Sequence, residues 1–125
     1  MGRNSQRKGR SAELELVKLL RDAGYQDAAP GPPMSFGTTP DITGLPGVHI
    51  EVKSIRNLDL PAALRQARED SAYFEDGLPT VFHRHRGAGW VVSVTLTDWL
   101  TLYDGWAKCR KVQDLDTEKK RRPKG

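Results

Sequence analysis

Between residues 48 and 53 the chain reads Val-His-Ile-Glu-Val-Lys, a strict alternation of β-branched and polar side chains. Successive side chains of a strand point to opposite faces, so this run carries one apolar face and one polar face. Leu45-Pro46-Gly47, immediately before it, suits a three-residue hairpin loop with the glycine in the left-handed position, and residues 40–53 are predicted to form a β-hairpin. In that register the numbers of paired residues sum to 92, which sets Asp41 opposite Glu51 with Cβ atoms roughly 5 Å apart. Two facing carboxylates repel, and the pair is a defect unless a positive group lies between them. A divalent cation with oxygen ligands is the simplest such group. Lys53, on the same face about 6.6 Å further along the strand, is the other, and would make the set a Lys-Glu-Asp ladder on an exposed sheet face.

Around this hairpin the pattern is helix, strands, helix, strands, helix. A helical stretch runs from Ser11, an N-cap residue, to Ala23, and Gly24 stops it. Ala28 to Pro33 is proline-rich and reads as a loop leading to a short strand near Met34 to Phe36. Pro61 suits the first turn of a second helix, Ala62 to Tyr73. Thr80 to Arg86 and Trp90 to Thr95 are strand-like and joined by Gly87-Ala88-Gly89. Thr97 to Trp106 completes the pattern as a last short helix. The fold class expected is α/β, one central mixed sheet flanked by helices, and a chain of 125 residues has room for one such domain.

Charge is unevenly spread. Arg3, Arg7, Lys8 and Arg10 fall in the first ten residues and Lys119, Lys120, Arg121, Arg122 and Lys124 in the last seven, with no acid in either stretch. Setting aside these nine cations leaves 11 basic against 16 acidic groups, a net charge of −5 for residues 11–118 against +4 for the whole. The expected organisation is a basic N-terminal arm over 1–10, a folded domain over 11–106 and a basic flexible tail over 107–125. Such arms suit a polyanion, because each phosphate they neutralise releases counterions; the alternative is that they only keep the chain soluble. Neither a bilayer-spanning run nor a leader is apparent. Cys109 is the single cysteine, which excludes an internal disulfide and a cysteine-rich zinc site and fits a reducing, cytoplasmic compartment.

One more acid breaks its local pattern. Glu13 precedes the apolar stripe Leu16, Val17 and Leu20 by three, four and seven positions, so it lies on the buried face of the first helix or at its edge. Its alternative role is a first-turn acid favoured by the helix dipole. Glu15 shares the opposite face with Lys18 and Asp22 and reads as a solvated partner. If the first helix packs beside the hairpin, Glu13, Asp41, Glu51 and Lys53 converge. Hydrolysis of a phosphodiester uses such a set: hard oxygen ligands for magnesium, and an ammonium to hold water and offset phosphate charge.

Pro40-Asp41 followed after nine residues by Glu51-Val52-Lys53 resembles the PD-(D/E)xK nuclease signature, with Glu13 similar to that superfamily's additional helix acid. The longer string of Lys8-Gly9-Arg10, Ser35, and Ile50-Glu51-Val52-Lys53-Ser54 resembles archaeal and phage Holliday-junction resolvases, as do Gln66-Ala67 and Trp90. The likeness spans roughly residues 7–103, about three quarters of the chain, and Gly37-Thr38-Thr39 departs from the archaeal pattern. It implies a restriction-endonuclease-like αβββαβ core and a homodimer acting on branched DNA with Mg2+, for which Mn2+ substitutes. Carried over by position, Asp41, Glu51 and the Val52 carbonyl bind metal, Glu13 binds a second metal or its water, Lys53 orients water, and Gln66 reaches the site from its helix. Arg10 and Ser35 approach phosphate or the neighbouring site. Arg3, Arg7, Lys8, Arg56, Arg84 and Arg86 complete the expected DNA-contacting set, with Arg84 and Arg86 equally open to a plain solvent-facing role. The implied dimer interface falls on the last hairpin or helix, at Trp90, Trp99 or Trp106.

Other signals are weaker. His83 and His85 have metal-ligand spacing on one strand, yet only His49 is available as a further nitrogen ligand, and a zinc site is discounted. Gly87 and Gly89 do not make a nucleotide-binding loop, and no arrangement suggests acyl transfer. The competing functions are a nuclease on linear, flap or single-stranded DNA and a non-catalytic nucleic-acid-binding module.

Overall fold

The computed structural model describes residues 2–32, 40–54, 56–85 and 87–121, and their side chains between 10 and 111. The chain divides into two compact units, Met1–Val94 and Thr95–Gly125. The first holds α1 (Gly2–Asp22), β1 (Ala29–Pro30), β2 (Ile42–Thr43), β3 (Gly47–Lys53), α2 (Leu60–Phe74), β4 (Gly77–His85) and β5 (Gly89–Ser93). The second holds α3 (Leu96–Arg121). The protein is α/β, with three helices and a five-stranded mixed sheet in the order β1-β2-β3-β4-β5 among the described residues. All neighbouring strands are antiparallel except β3 and β4, which run parallel because α2 carries the chain back between them.

The hairpin closes in the predicted register. Ile42 pairs with Ile50, and the Asp41 N–H donates to the Ile50 carbonyl at 3.0 Å. Gly47 takes φ +94°, the left-handed conformation the tight loop needs. Gly77 faces it across the parallel ladder at φ +131°, where a Cβ would sit 2.3 Å from the Gly47 carbonyl carbon. Only glycine permits the strands to start at that spacing.

The alternation in β3 sorts the core into two layers. Ile50 and Val52 pack with Ala12, Leu16 and Val17 of α1 and with Ile42, and Val48, Leu20, Phe82 and Trp90 close around them. On the opposite face Val81, the ladder partner of Glu51, packs with Ala63 and Ala67 of α2. Helix α2 begins at Asp59, whose carboxylate accepts from the Ala62 N–H at 3.1 Å, with Pro61 in the first turn. It ends on Glu75 in the left-handed conformation, φ 51°.

Several boundaries differ from those expected. Helix α1 starts at Gly2 rather than Ser11, so the backbone of residues 2–10 of the basic stretch is helical and continuous with the domain helix. The reason is composition: among residues 2–10 only Gly2 and Gly9 are strong helix breakers, and no proline interrupts them. Ala29–Pro30, read as loop, forms a two-residue edge strand against Ile42 and Thr43, a position that tolerates proline. The strand expected near Met34 to Phe36 lies outside the described residues. The first compact unit closes at Val94 rather than Trp106, and the supposed tail continues as helix to Arg121.

Taken by itself, α3 is capped by Thr95, whose hydroxyl accepts from the Asp98 N–H at 3.3 Å and donates to the Asp98 carboxylate at 3.0 Å. Trp99, Tyr103 and Trp106 stack in succession at 5.1 and 5.7 Å, and the Arg110 guanidinium lies over Trp106 at 5.2 Å. No described helix is long and apolar enough to cross a membrane.

Candidate active site

The polar face of β3 is not an exposed ladder. Glu51 is 3% exposed and His49 fully buried, because α2 covers this side of the sheet. Asp41 turns its Oδ2 onto the Val52 N–H at 2.7 Å and hydrogen-bonds the Glu51 side chain. Lys53 Nζ donates to Gln66 Oε1 at 3.1 Å, joining β3 to α2. Glu13, half-buried on α1, feels the charge of Asp41 on one side and of Arg10 on the other. Asp41, Glu51, Lys53 and Gln66, which are far apart in the chain, thus form one cluster, and Glu13 lies within reach of the Asp41 charge. Val52 contributes an N–H to the cluster.

The electrostatics of the cluster are those of too many carboxylates in too little water. Burial pushes Glu51 up to about 7, with the Asp41 charge and a hydrogen bond to Asp70 adding to the rise and His49 opposing it. Burial first and Asp41 second lift Glu13 to about 7, against the pull of Arg10. Asp41 is raised by burial despite relief from the Val52 N–H, Glu51, Lys53 and His49. Three acids that all hold their protons more tightly than free carboxyls do are three oxygen donors short of positive charge, which is the condition a hard divalent cation relieves. Carboxylate oxygens are the donor type that hard cations such as magnesium and manganese take.

Three residues of the site were missed at the sequence level. His49 sets Nε2 2.8 Å from Glu51 Oε1 and Nδ1 2.7 Å from Asp76 Oδ2. Asp70, buried on α2, completes a group with His49 and Glu51 whose ligand atoms lie within 4.8 Å of one another. Strand period does place His49 beside Glu51, and Asp70 follows Gln66 by one helical turn on the face of Ala63 and Ala67, so both were legible. Asp76 follows the helix end and carried no such signal.

The expected DNA-contacting residues fare unequally. Arg10 and Arg56 are exposed, Arg56 in the turn after β3. The Arg84 guanidinium, exposed, is ion-paired with Glu15 and lies over the Trp90 ring at 5.1 Å. Glu15 is correspondingly not a partner of the Lys18 face but reaches β4 and β5, accepting from Trp90 Nε1 at 3.3 Å. Trp90 itself is packed against the α1 core, whereas Trp99 and Trp106 are exposed. His83 hydrogen-bonds Ser93 at 2.8 Å. Arg3, Arg7 and Lys8 lie on the α1 backbone with side chains outside the described set, and Ser35 and Arg86 lie outside the described residues. No family model matches this chain, and no curated protein matches it.

Proposed function

We propose that the protein is a metal-dependent, structure-selective DNA endonuclease of the PD-(D/E)xK superfamily that resolves four-way junctions in the cytoplasm by paired phosphodiester hydrolysis. The observation that carries this reading is the convergence of Glu13, Asp41, Glu51, Lys53 and Gln66 from two helices and a hairpin. The element order α1-β1-β2-β3-α2-β4, with β3 and β4 parallel, supports a restriction-endonuclease-like core.

Glu13, Asp41, Glu51 and the Val52 carbonyl would hold Mg2+ or Mn2+. The ion, when bound, supplies positive charge for the scissile phosphate and lowers the pKa of water. Lys53, steadied by Gln66, holds the attacking water and offsets charge on the phosphate. The water oxygen bonds phosphorus as the bond to the 3′ oxygen breaks, leaving a 5′-phosphate and a 3′-hydroxyl that takes its proton from solvent. Arg10, Arg56 and the cations at positions 3, 7 and 8 supply phosphate contacts on the substrate side. One cluster per chain makes one nick, so matched nicks on opposing strands require two copies, and the acting species is a homodimer.

Incubation of the full chain with a synthetic four-way junction and Mg2+ tests the reading. Paired nicks that vanish in Glu51→Ala, and that persist under excess linear duplex, are expected. Full cleavage by Glu51→Ala would remove the site; preference for linear duplex would make the enzyme a nuclease of the linear-substrate kind; binding without cleavage in any divalent ion would make it a binding module.

A further inference from the structure

His49 has no place in the hydrolytic step, yet it is the most confined polar side chain of the site. It is fully buried, its backbone carbonyl accepts from Thr80 Oγ1 at 2.7 Å, and its two ring nitrogens are both engaged by carboxylates. The geometry points to His49, held by Asp76, as a positioning residue for Glu51: it occupies Oε1, so that Glu51 presents its other oxygen to the cation. This inference rests on the metal-dependent reading of the site.

The chain invests backbone in this contact. Asp76 sits between Glu75, left-handed at φ 51°, and Gly77, at φ +131°. That sharp exit from α2 returns the chain to β4 while setting Asp76 Oδ2 2.7 Å from His49 Nδ1. The ladder pairing of His49 with Pro79 and the Thr80 hydroxyl bond to its carbonyl fix the His49 backbone from the β4 side. A carboxylate with two free oxygens can rotate between one-oxygen and two-oxygen binding of a cation. Fixing one oxygen removes that freedom before the ion arrives, and partners of this kind are worth 10- to 100-fold in metal affinity or activity. Stability alone does not call for an Asp-His-Glu series in a sheet interior, where apolar residues of similar volume serve as well or better.

The test uses the full chain with Mn2+ alone as the probe, titrated by electron paramagnetic resonance without DNA, alongside junction cleavage as a function of Mn2+. Asp76→Ala and His49→Gln are expected to raise the half-saturating Mn2+ concentration about 10- to 100-fold, with cleavage at saturating Mn2+ reduced far less. Asp76→Asn, whose amide oxygen still accepts from Nδ1, should recover most of the affinity. Wild-type Mn2+ affinity in a folded Asp76→Ala overturns the inference, and because the Asp76 side chain is 26% exposed that variant serves if His49→Gln fails to fold. A wild-type chain that binds no Mn2+ and leaves the junction intact removes the nuclease reading and this inference with it. Wild-type binding and cleavage together with an unaffected Asp76→Ala removes the positioning role alone.

Discussion

The two faces of β3 use one backbone for opposite ends. Val48, Ile50 and Val52 turn toward α1 and meet Leu16, Val17 and Ile42, a dry contact in which every partner is apolar. His49, Glu51 and Lys53 turn toward α2 and meet Asp41, Asp76, Gln66 and Asp70, a buried contact in which nearly every partner is polar or charged. The first face supplies folding free energy, at roughly 25 cal/mol per Å2 of apolar surface removed from water. The second spends some of it, since desolvation raises the Glu51 carboxyl to about 7. Rigidity on one side keeps repelling groups together on the other.

Substitutions on the two faces should therefore separate stability from chemistry. The largest effect is expected for Glu51→Ala, which should bring junction cleavage below detection in a gel assay while the metal-free melting temperature at pH 8 holds or rises. Ile50→Ala, one residue away, should cost about 2 to 5 kcal/mol in urea denaturation and leave Mn2+ affinity of the folded chain unchanged. If Ile50→Ala instead weakens metal binding at full folding, the two faces are not independent. Magnesium at a hundred times its dissociation constant should stabilise the wild-type chain by about 2.7 kcal/mol in a thermal melt and Glu51→Ala by nothing.

The metal-free chain should also lose stability as pH rises. Glu13 and Glu51 bind a proton more tightly folded than unfolded, moving from 4.5 to about 7, so their contribution is full below 4.5 and disappears as pH passes through about 7. His49, raised by its bonds to Glu51 and Asp76 against the effect of burial, works in the same direction. Melting temperatures taken from pH 5 to 8 should fall, and saturating Mg2+ should flatten the slope. The smallest effect belongs to Arg84→Ala: its ion pair with Glu15 is 42% and 50% exposed, and a loss of at most about 1 kcal/mol is expected by denaturation.

Much of the site was readable before any coordinates. The pairing sum of 92 follows from a short loop and a period of two, both local properties; Ile42 and Ile50 pair on it, and the Asp41 and Glu51 side chains hydrogen-bond each other. The placement of Glu13 at the edge of a buried helix face came from the 3.6-residue period and holds as well. Glu15 shows the limit of that method. Helical spacing put it with Lys18 and Asp22, while its real partners, Arg84 and Trp90, arrive from strands about 70 residues later. The helical course of residues 2–10 and 107–121 was hidden for another reason: charge runs read as solvated arms although nothing in their composition forbids a helix.

Sequence by itself determined the alternating strand, its hairpin partner and the acids that face each other there, because turn geometry and side-chain period act over a few residues. Only the tertiary structure decided that α2 would cover the charged face, that Gln66 would meet Lys53, and that Asp76 would close on His49. Those contacts depend on a parallel crossover that brings residues 13 to 27 positions apart to within hydrogen-bonding distance, and no local period encodes where such a crossover lands.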